Sequence, residues 1–266
     1  MIETAQAFGI DIGGSGIKAA PVDLVAGDFA EPRKKILTPE HSTPKAVGKV
    51  ARKLLDQFEV PESAPVGVAF PAPVRPGHPI DFIANLDQAW LGQDVWEVFS
   101  EACGRPVSVV NDADAAGLAE VRYGAAKGQD GLVIATTLGT GIGSALIYDG
   151  VLIPNSELGH LTLEGKDAER YAASSVRDVK KLSYKKWAAR LTKYYQMLER
   201  YFSPDCFVVG GGVSRVSEKF LPYIKVDTPI VPAKLRNQAG IVGAAYYASY
   251  IDEQVKAKAG QPTVAR

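Results

Sequence analysis

Two stretches of the chain share one pattern of apolar and small residues. Phe8 to Ile12 is apolar, enters Asp11-Ile-Gly-Gly-Ser-Gly-Ile-Lys18 and continues as an apolar stretch to Val25. Gly131 to Leu138 likewise enters Leu138-Gly-Thr-Gly-Ile-Gly143 and returns over Ser144 to Tyr148. Apolar runs on either side of a glycine break predict strand, tight turn, strand. Lying about half a chain apart, the two units form a weak internal repeat.

Between and after them the period changes. Val47, Val50, Ala51, Leu54, Leu55 and Phe58 recur at helical spacing, whereas Val66 to Phe70 is a short continuous run of the buried-strand kind. Phe70 to Pro79 is rich in proline, which lacks a ladder donor, and reads as loop. Val107 to Val110 predicts a strand that delivers Asn111-Asp112, with a helix over Ala113 to Tyr123. Leu191, Tyr194, Tyr195 and Leu198 place a helix over Ala188 to Phe202; Phe207 to Val209 is a strand running into Gly210-Gly211-Gly212-Val213; Ala239 to Tyr250 is a last, small-residue helix. Residues beyond about Ile251 lack periodicity and are expected to fray. Strands and helices alternate throughout, which favours an α/β architecture.

Composition narrows the class. The 266 residues, 46% hydrophobic and 23% charged, are enough for one large domain or two lobes with real cores. Lysine plus arginine balances aspartate plus glutamate at 30 each, so no global field draws the chain to nucleic acid or to a membrane surface. An anionic ligand must therefore be held locally. Cys103 and Cys206 have no paired spacing, which argues for two reduced thiols in a cytoplasmic protein. The N-terminal stretch lacks the basic and apolar regions of a signal peptide, and no apolar run approaches the ~20 residues of a membrane span.

Three glycine clusters are candidates for chemistry. Backbone N–H groups at such turns can approach a phosphate without side-chain interference, although each cluster alone also reads as a plain tight turn. None fits GxxxxGK[ST], and none is a GxGxxG between strand and helix. In the first, Gly13, Gly14, Ser15, Gly16 and Lys18 can hold a phosphate while Asp11 faces Mg²⁺ through water, since magnesium binds through few carboxylates plus substrate phosphates. Asp112 at a strand end can act as a general base toward a hydroxyl attacking phosphorus. Asn111-Asp112 can equally be the cap of the following helix, and Asp114 is the cap or a first-turn residue if Asp112 is catalytic. A third candidate region is Asn155 to Arg170, with Glu157 and His160 three residues apart and Asp167 and Glu169 downstream.

Taken together, DIGGSGIK at 11–18, NDADAAGLAE at 111–120, LGTGIGSALIYDG at 138–150, ELGH at 157–160 and GGGVS at 210–214 resemble the ROK sugar kinases of the actin/hexokinase-like superfamily. The resemblance runs in order from residue 8 to about 248. It implies two ribonuclease-H-like (actin-like ATPase) lobes, 1–112 and 113–250, with an interlobe cleft where sugar and phosphoryl donor meet and a frayed tail over 251–266. It further implies Asp112 as base, Asn85, Asn111, Asp112, Glu157, His160 and Glu169 on the sugar, and both glycine turns (the second through Gly139, Thr140 and Gly141) on the donor phosphates. Gly210, Gly211 and Gly212 would hold a nucleoside, so ATP stays open as a donor, and a homodimer is expected, with Trp187 or the helix from Lys193 to Tyr201 as contact or as core.

Many members follow ExGH with a cysteine cluster that binds structural zinc. Leu161 to Glu169 has no cysteine, so no zinc is expected, and GKDAE at 165–169 is similar to an element of the polyphosphate glucokinase branch. The Asn85 to Trp90 loop, Leu182-Ser-Tyr with Trp187, and Thr228 to Pro232 with Asn237 are similar to the same branch. The activity so implied is phosphoryl transfer from polyphosphate, with Mg²⁺, to the 6-hydroxyl of glucose. A groove of cations leading from the glycine turns is expected for that donor, with Lys18, Lys127 and the cluster Arg177, Lys180, Lys181, Lys185 and Lys186 as candidates. The ordinary reading of that cluster is a solvated helix face. The alternatives are a strictly ATP-dependent kinase for glucose, mannose or an N-acetylhexosamine, and a non-catalytic sugar sensor. The second is disfavoured, because family repressors carry an N-terminal helix-turn-helix and about seven residues precede the first strand here.

Overall fold

A computed structural model describes residues 6–84 and 86–259. The first glycine unit is a hairpin of β1 (Gln6–Gly13) and β2 (Gly16–Asp23), with Gly13 opposite Gly16 at the tip. Two short strands, β3 (Asp28–Phe29) and β4 (Lys34–Ile36), pair with β2. After α1 (Pro44–Leu55) the chain returns as β5 (Val66–Phe70), parallel to β1. After α2 (Val95–Cys103) it returns again as β6 (Ser108–Asn111), parallel to β5. The sheet order is β3-β2-β1-β5-β6.

Helix α3 (Asp112–Arg122) leads to the second hairpin, β7 (Leu132–Leu138) and β8 (Ile142–Tyr148), extended by β9 (Val151–Ile153). A small hairpin, β10 (Thr162–Leu163) with β11 (Lys166–Asp167), precedes α4 (Ala168–Ala172), α5 (Ser174–Val179) and α6 (Tyr184–Phe202). Then β12 (Cys206–Gly210) pairs parallel with β7, β13 (Ile230–Pro232) pairs parallel with β12, and α7 (Ala239–Ala259) closes the chain. The order β13-β12-β7-β8-β9 repeats that of the first sheet, with the hairpin partner antiparallel and the two later strands parallel. The internal repeat is thus a duplicated sheet topology.

The chain divides into two compact units, one from residue 1 to Ala115 plus the chain from Gly240 onward, the other from Ala116 to Ala239. In this division α7 lies with the first sheet. The reason is steric. A Cβ at Gly9 would lie 2.0 Å from the Ile241 carbonyl oxygen, and one at Gly67 would lie 1.9 Å from that of Ala244. Only bare backbone on β1 and β5 lets α7 come this close. Of the tail expected to fray, residues 251–259 are helical as the end of α7, and 260–266 lie outside the described residues. The last turns of α7 are exposed all round, so they show no apolar period, and Lys256 pairs with Asp252 one turn earlier.

In the first unit Phe8, Ile10 and Ile12 alternate with residues of the opposite face and pack with Val47, Ala51 and Leu54 of α1 and Val95 and Phe99 of α2. Phe70, Trp90 and Phe99 form an aromatic group with centroids 4.7–6.1 Å apart, and Trp90 donates Nε1–H to the Ser42 carbonyl at 2.8 Å. In the second unit Trp187, Leu191, Tyr194, Tyr195 and Leu198 of α6 are fully buried with Phe207 and Val209. Trp187 and the two tyrosines are therefore core. Burying side chains of this size stabilises by about 1.5–3 kcal/mol each. Cys103 and Cys206 are separate buried thiols, and burial pushes Cys103 up to about 11. No described helix is long and apolar enough to cross a membrane.

Candidate active site

In the first hairpin Asp11 and Lys18 are directly opposed across the strands, and Lys18 Nζ donates to Asp11 Oδ2 at 3.1 Å. Gly14 and Ser15 are exposed at the tip, while the Thr38 hydroxyl donates to the Gly13 carbonyl and fixes the turn. A half-buried carboxylate, a cation and a bare tip thus share one end of the hairpin. One carboxylate with open tip amides suits Mg²⁺ carried in on phosphates.

The end of β6 answers the question of the helix cap. Asn111 is buried, and its Oδ1 accepts from the amides of Ala113 (2.9 Å) and Asp114 (3.1 Å). Asn111 is therefore the capping residue, and Asp114 is a fully buried residue of the first turn. Asp112 is exposed at the start of α3, where its Oδ1 accepts from the Ala113 amide at 2.8 Å. Asn85 lies outside the described residues.

In the second unit, Asn155 to Arg170 folds back on itself. Glu164 (φ 53°) and Gly165 (φ 74°) both adopt left-handed backbone at the tip of β10–β11, a hairpin turn whose twist suits the strands. The turn returns Asp167 to His160, with Nδ1 to Oδ2 at 3.3 Å, while His160 Nε2 lies 3.7 Å from Glu157 Oε2. Glu169 reaches the second glycine turn, where its Oε2 accepts from the Ile142 amide at 3.3 Å. A Cβ at Gly141 would sit 2.3 Å from that oxygen and push the carboxylate aside. Gly159 is required more strictly, since a Cβ there would meet a backbone atom, the Ile142 carbonyl oxygen, at 2.2 Å. Ser144, buried on β8, donates to the Ser156 carbonyl (2.7 Å) and accepts from the Leu158 amide (2.9 Å), pinning the strand before the Leu158–His160 turn.

Glu157, His160 and Glu169 therefore come together as the sequence suggested, with Asp167 as an added member. Atoms of His160, Asp167 and Glu169 lie within 4.8 Å of one another, a spacing that could also admit a cation. Burial raises Glu157 above the ordinary carboxylate value; His160 lowers it in part and the Glu169 charge raises it further.

The remaining glycines adjoin this turn. Gly139 donates to the Gly141 carbonyl at 3.0 Å, and the Gly139 and Thr140 carbonyls accept from the Ser175 amide (3.0 Å) and hydroxyl (2.6 Å). Gly211 (φ 82°) abuts Leu138, so the Gly210–Gly212 element lies against the strand end that carries the second turn. Lys127 is exposed after α3.

Two sheets of one strand order, each opened by a glycine-tipped hairpin, define a protein of the actin-like ATPase fold. Residues 7–173 match the model of the ROK family, and the chain belongs to that family. It is 48% identical over 239 residues to a polyphosphate glucokinase of Mycobacterium tuberculosis (strain CDC 1551 / Oshkosh), covering 90% of this chain and 89% of that one. Among solved structures it is similar to the inorganic polyphosphate/ATP-glucomannokinase of Arthrobacter sp. strain KM, with TM-score 0.86, 45% identity, and coverage of 93% and 99%. The fold also matches a ROK family glucokinase from Streptomyces griseus in complex with glucose and AMPPNP, at TM-score 0.76, 23% identity, and coverage of 92% and 99%.

Proposed function

We propose that the protein transfers a phosphoryl group from inorganic polyphosphate, and also from ATP, to the 6-hydroxyl of glucose, giving glucose 6-phosphate. The likeness over nine-tenths of the chain to a polyphosphate glucokinase carries this reading. The cysteine-free fold-back that gathers Glu157, His160 and Glu169 supports it.

Asp112 is the general base and takes the hydroxyl proton as the oxygen attacks phosphorus. Glucose hydroxyls both donate and accept, so they suit the Asn85 and Asn111 amides, the Glu157 and Glu169 carboxylates and the His160 imidazole. Asp167 on Nδ1 orients that ring. The amides of Gly13, Gly14, Ser15, Gly16, Thr140 and Gly141, with Lys18, hold donor phosphates, and Gly139, whose amide donates to the Gly141 carbonyl, shapes the second turn. Asp11 would hold Mg²⁺ through water, and the ion would offset phosphate charge. Gly210, Gly211 and Gly212 serve the nucleoside when ATP is the donor. Structural zinc has no thiolate partners near His160 and is not part of this reading. The enzyme works as a cytoplasmic homodimer, in a reducing setting that suits its two separate thiols, without nucleic acid or membrane partners.

A panel of glucose, mannose and N-acetylmannosamine against polyphosphate and ATP, each with Mg²⁺, tests the assignment. The expected result is turnover of glucose with polyphosphate. Turnover with ATP alone would replace it with a strictly ATP-dependent sugar kinase, and no product from any pair would refute catalysis.

A further inference from the structure

We infer that the corner between α5 and α6 is a second phosphate-binding stretch, which takes the distal phosphates of a long polyphosphate chain. The inference rests on the polyphosphate reading and deepens it by assigning residues to chain length.

The corner is continuous with the second glycine turn. Ser175 bonds the Gly139 carbonyl with its amide and the Thr140 carbonyl with its hydroxyl, so α5 starts on the turn itself. From Ser174 to Lys186 the chain then carries Arg177, Lys180, Lys181, Lys185 and Lys186 against a single carboxylate, Asp178. Lys219, from the 3-10 turn after the third glycine element, joins them. Such a bias costs self-repulsion unless an anion answers it.

An ordinary solvated face does not account for Arg177. Its side chain is only 25% exposed, bonds Asp178 through Nη1, and lies with Cζ 3.9 Å from the centre of the Tyr184 ring. Lys219 Nζ approaches the same ring at 5.9 Å. Tyr184 is itself stacked at 17° on Phe220, which packs against buried Trp187 at 4.7 Å. The guanidinium is thus set on an aromatic base rooted in the core, and a planar fork so held loses little entropy on meeting phosphate oxygens. The four lysines beside it are exposed. They form an exposed cationic fringe suited to a linear chain of repeating charge longer than the triphosphate of ATP.

The test compares initial rates on long-chain polyphosphate, tripolyphosphate and ATP at saturating glucose. It uses the full chain and two variants, K180Q/K181Q and Arg177→Lys, with thermal melts alongside. The long-chain to tripolyphosphate ratio of kcat/KM is expected to fall about tenfold in the double variant, and the difference from the unsubstituted enzyme to fade with added salt. Arg177→Lys is expected to lower the same ratio with its melt unchanged. An unchanged ratio in both variants, with polyphosphate still consumed, would overturn the distal stretch alone. Equal losses on all three donors would overturn it too, by making the corner structural. Absence of polyphosphate turnover in the unsubstituted enzyme would instead overturn the reading on which it rests.

Discussion

Glu120 is a carboxylate with 2% exposure in the last turn of α3, where the helix dipole disfavours negative charge. It persists because three backbone amides converge on it: Ala125 at 2.7 Å and Lys234 at 3.0 Å on Oε2, and Leu235 at 2.7 Å on Oε1. Together these lock the end of α3 to the loop after β13. Glu120→Ala removes all three acceptor contacts and leaves part-buried donors, at about 1–3 kcal/mol each. Relaxation and non-additivity reduce the sum, so the expected loss is about 3–6 kcal/mol. Glu120→Gln keeps one carbonyl oxygen for Leu235 but turns an NH₂ toward two donors, and about half that loss is expected. For a chain of this size the alanine variant's melting midpoint falls by roughly 6–20 °C. A thermal melt followed by tryptophan fluorescence and circular dichroism measures it. A shift under about 3 °C for Glu120→Ala would refute the argument that this carboxylate secures the helix.

Other outcomes follow from the same contacts. Gly67→Ala drives a Cβ to 1.9 Å from the Ala244 carbonyl oxygen, so a loss at or above the upper end of the usual overpacking cost, about 3 kcal/mol, is expected in a denaturant melt; a neutral effect would mean α7 does not seat as described. Glu157 titrates above the ordinary 4.5, and its ionised form is the stronger acceptor for a sugar hydroxyl, so glucose affinity should weaken as pH falls through that raised value. Glu169→Gln removes the like charge and should move the calorimetric pH profile to lower pH; a shift upward would contradict the coupling. Glu164→Gly relieves a left-handed tip residue and is expected to leave the melt unchanged or raise it by a few tenths of a kcal/mol, whereas Gly165→Val should lower it.

Much of this fold was legible where one face or one run is buried. Val47 to Phe58 marks its core face at every turn, and the glycine breaks announce both hairpins and, through their likeness, the duplicated sheets. Helix α2 escaped notice even though Asp94 caps it, accepting from the Trp96 amide, and Gly104 ends it with φ 66°. Those signals were present but brief. The allegiance of α7 was hidden because it depends on the missing side chains of Gly9 and Gly67, whose meaning appears only when the helix lies on them. At the site, ELGH and KDAE were readable as pieces. Their union was not, because the turn uses a glutamate at φ 53°, a residue type that seldom signals such geometry. Asn111-Asp112-Ala-Asp114 offered three capping carbonyls or carboxylates in a row, and only the two amide contacts to Asn111 decide among them.

The account rests on phosphoryl transfer at Asp112 with polyphosphate as donor. Phosphorus NMR of the purified protein with glucose, Mg²⁺ and long-chain polyphosphate, free of nucleotide, observes that transfer directly. The account predicts a growing glucose 6-phosphate signal, slowed about 10²–10⁴-fold in Asp112→Asn while glucose still binds. No sugar phosphate from the unsubstituted protein, or an undiminished rate in Asp112→Asn, would contradict it.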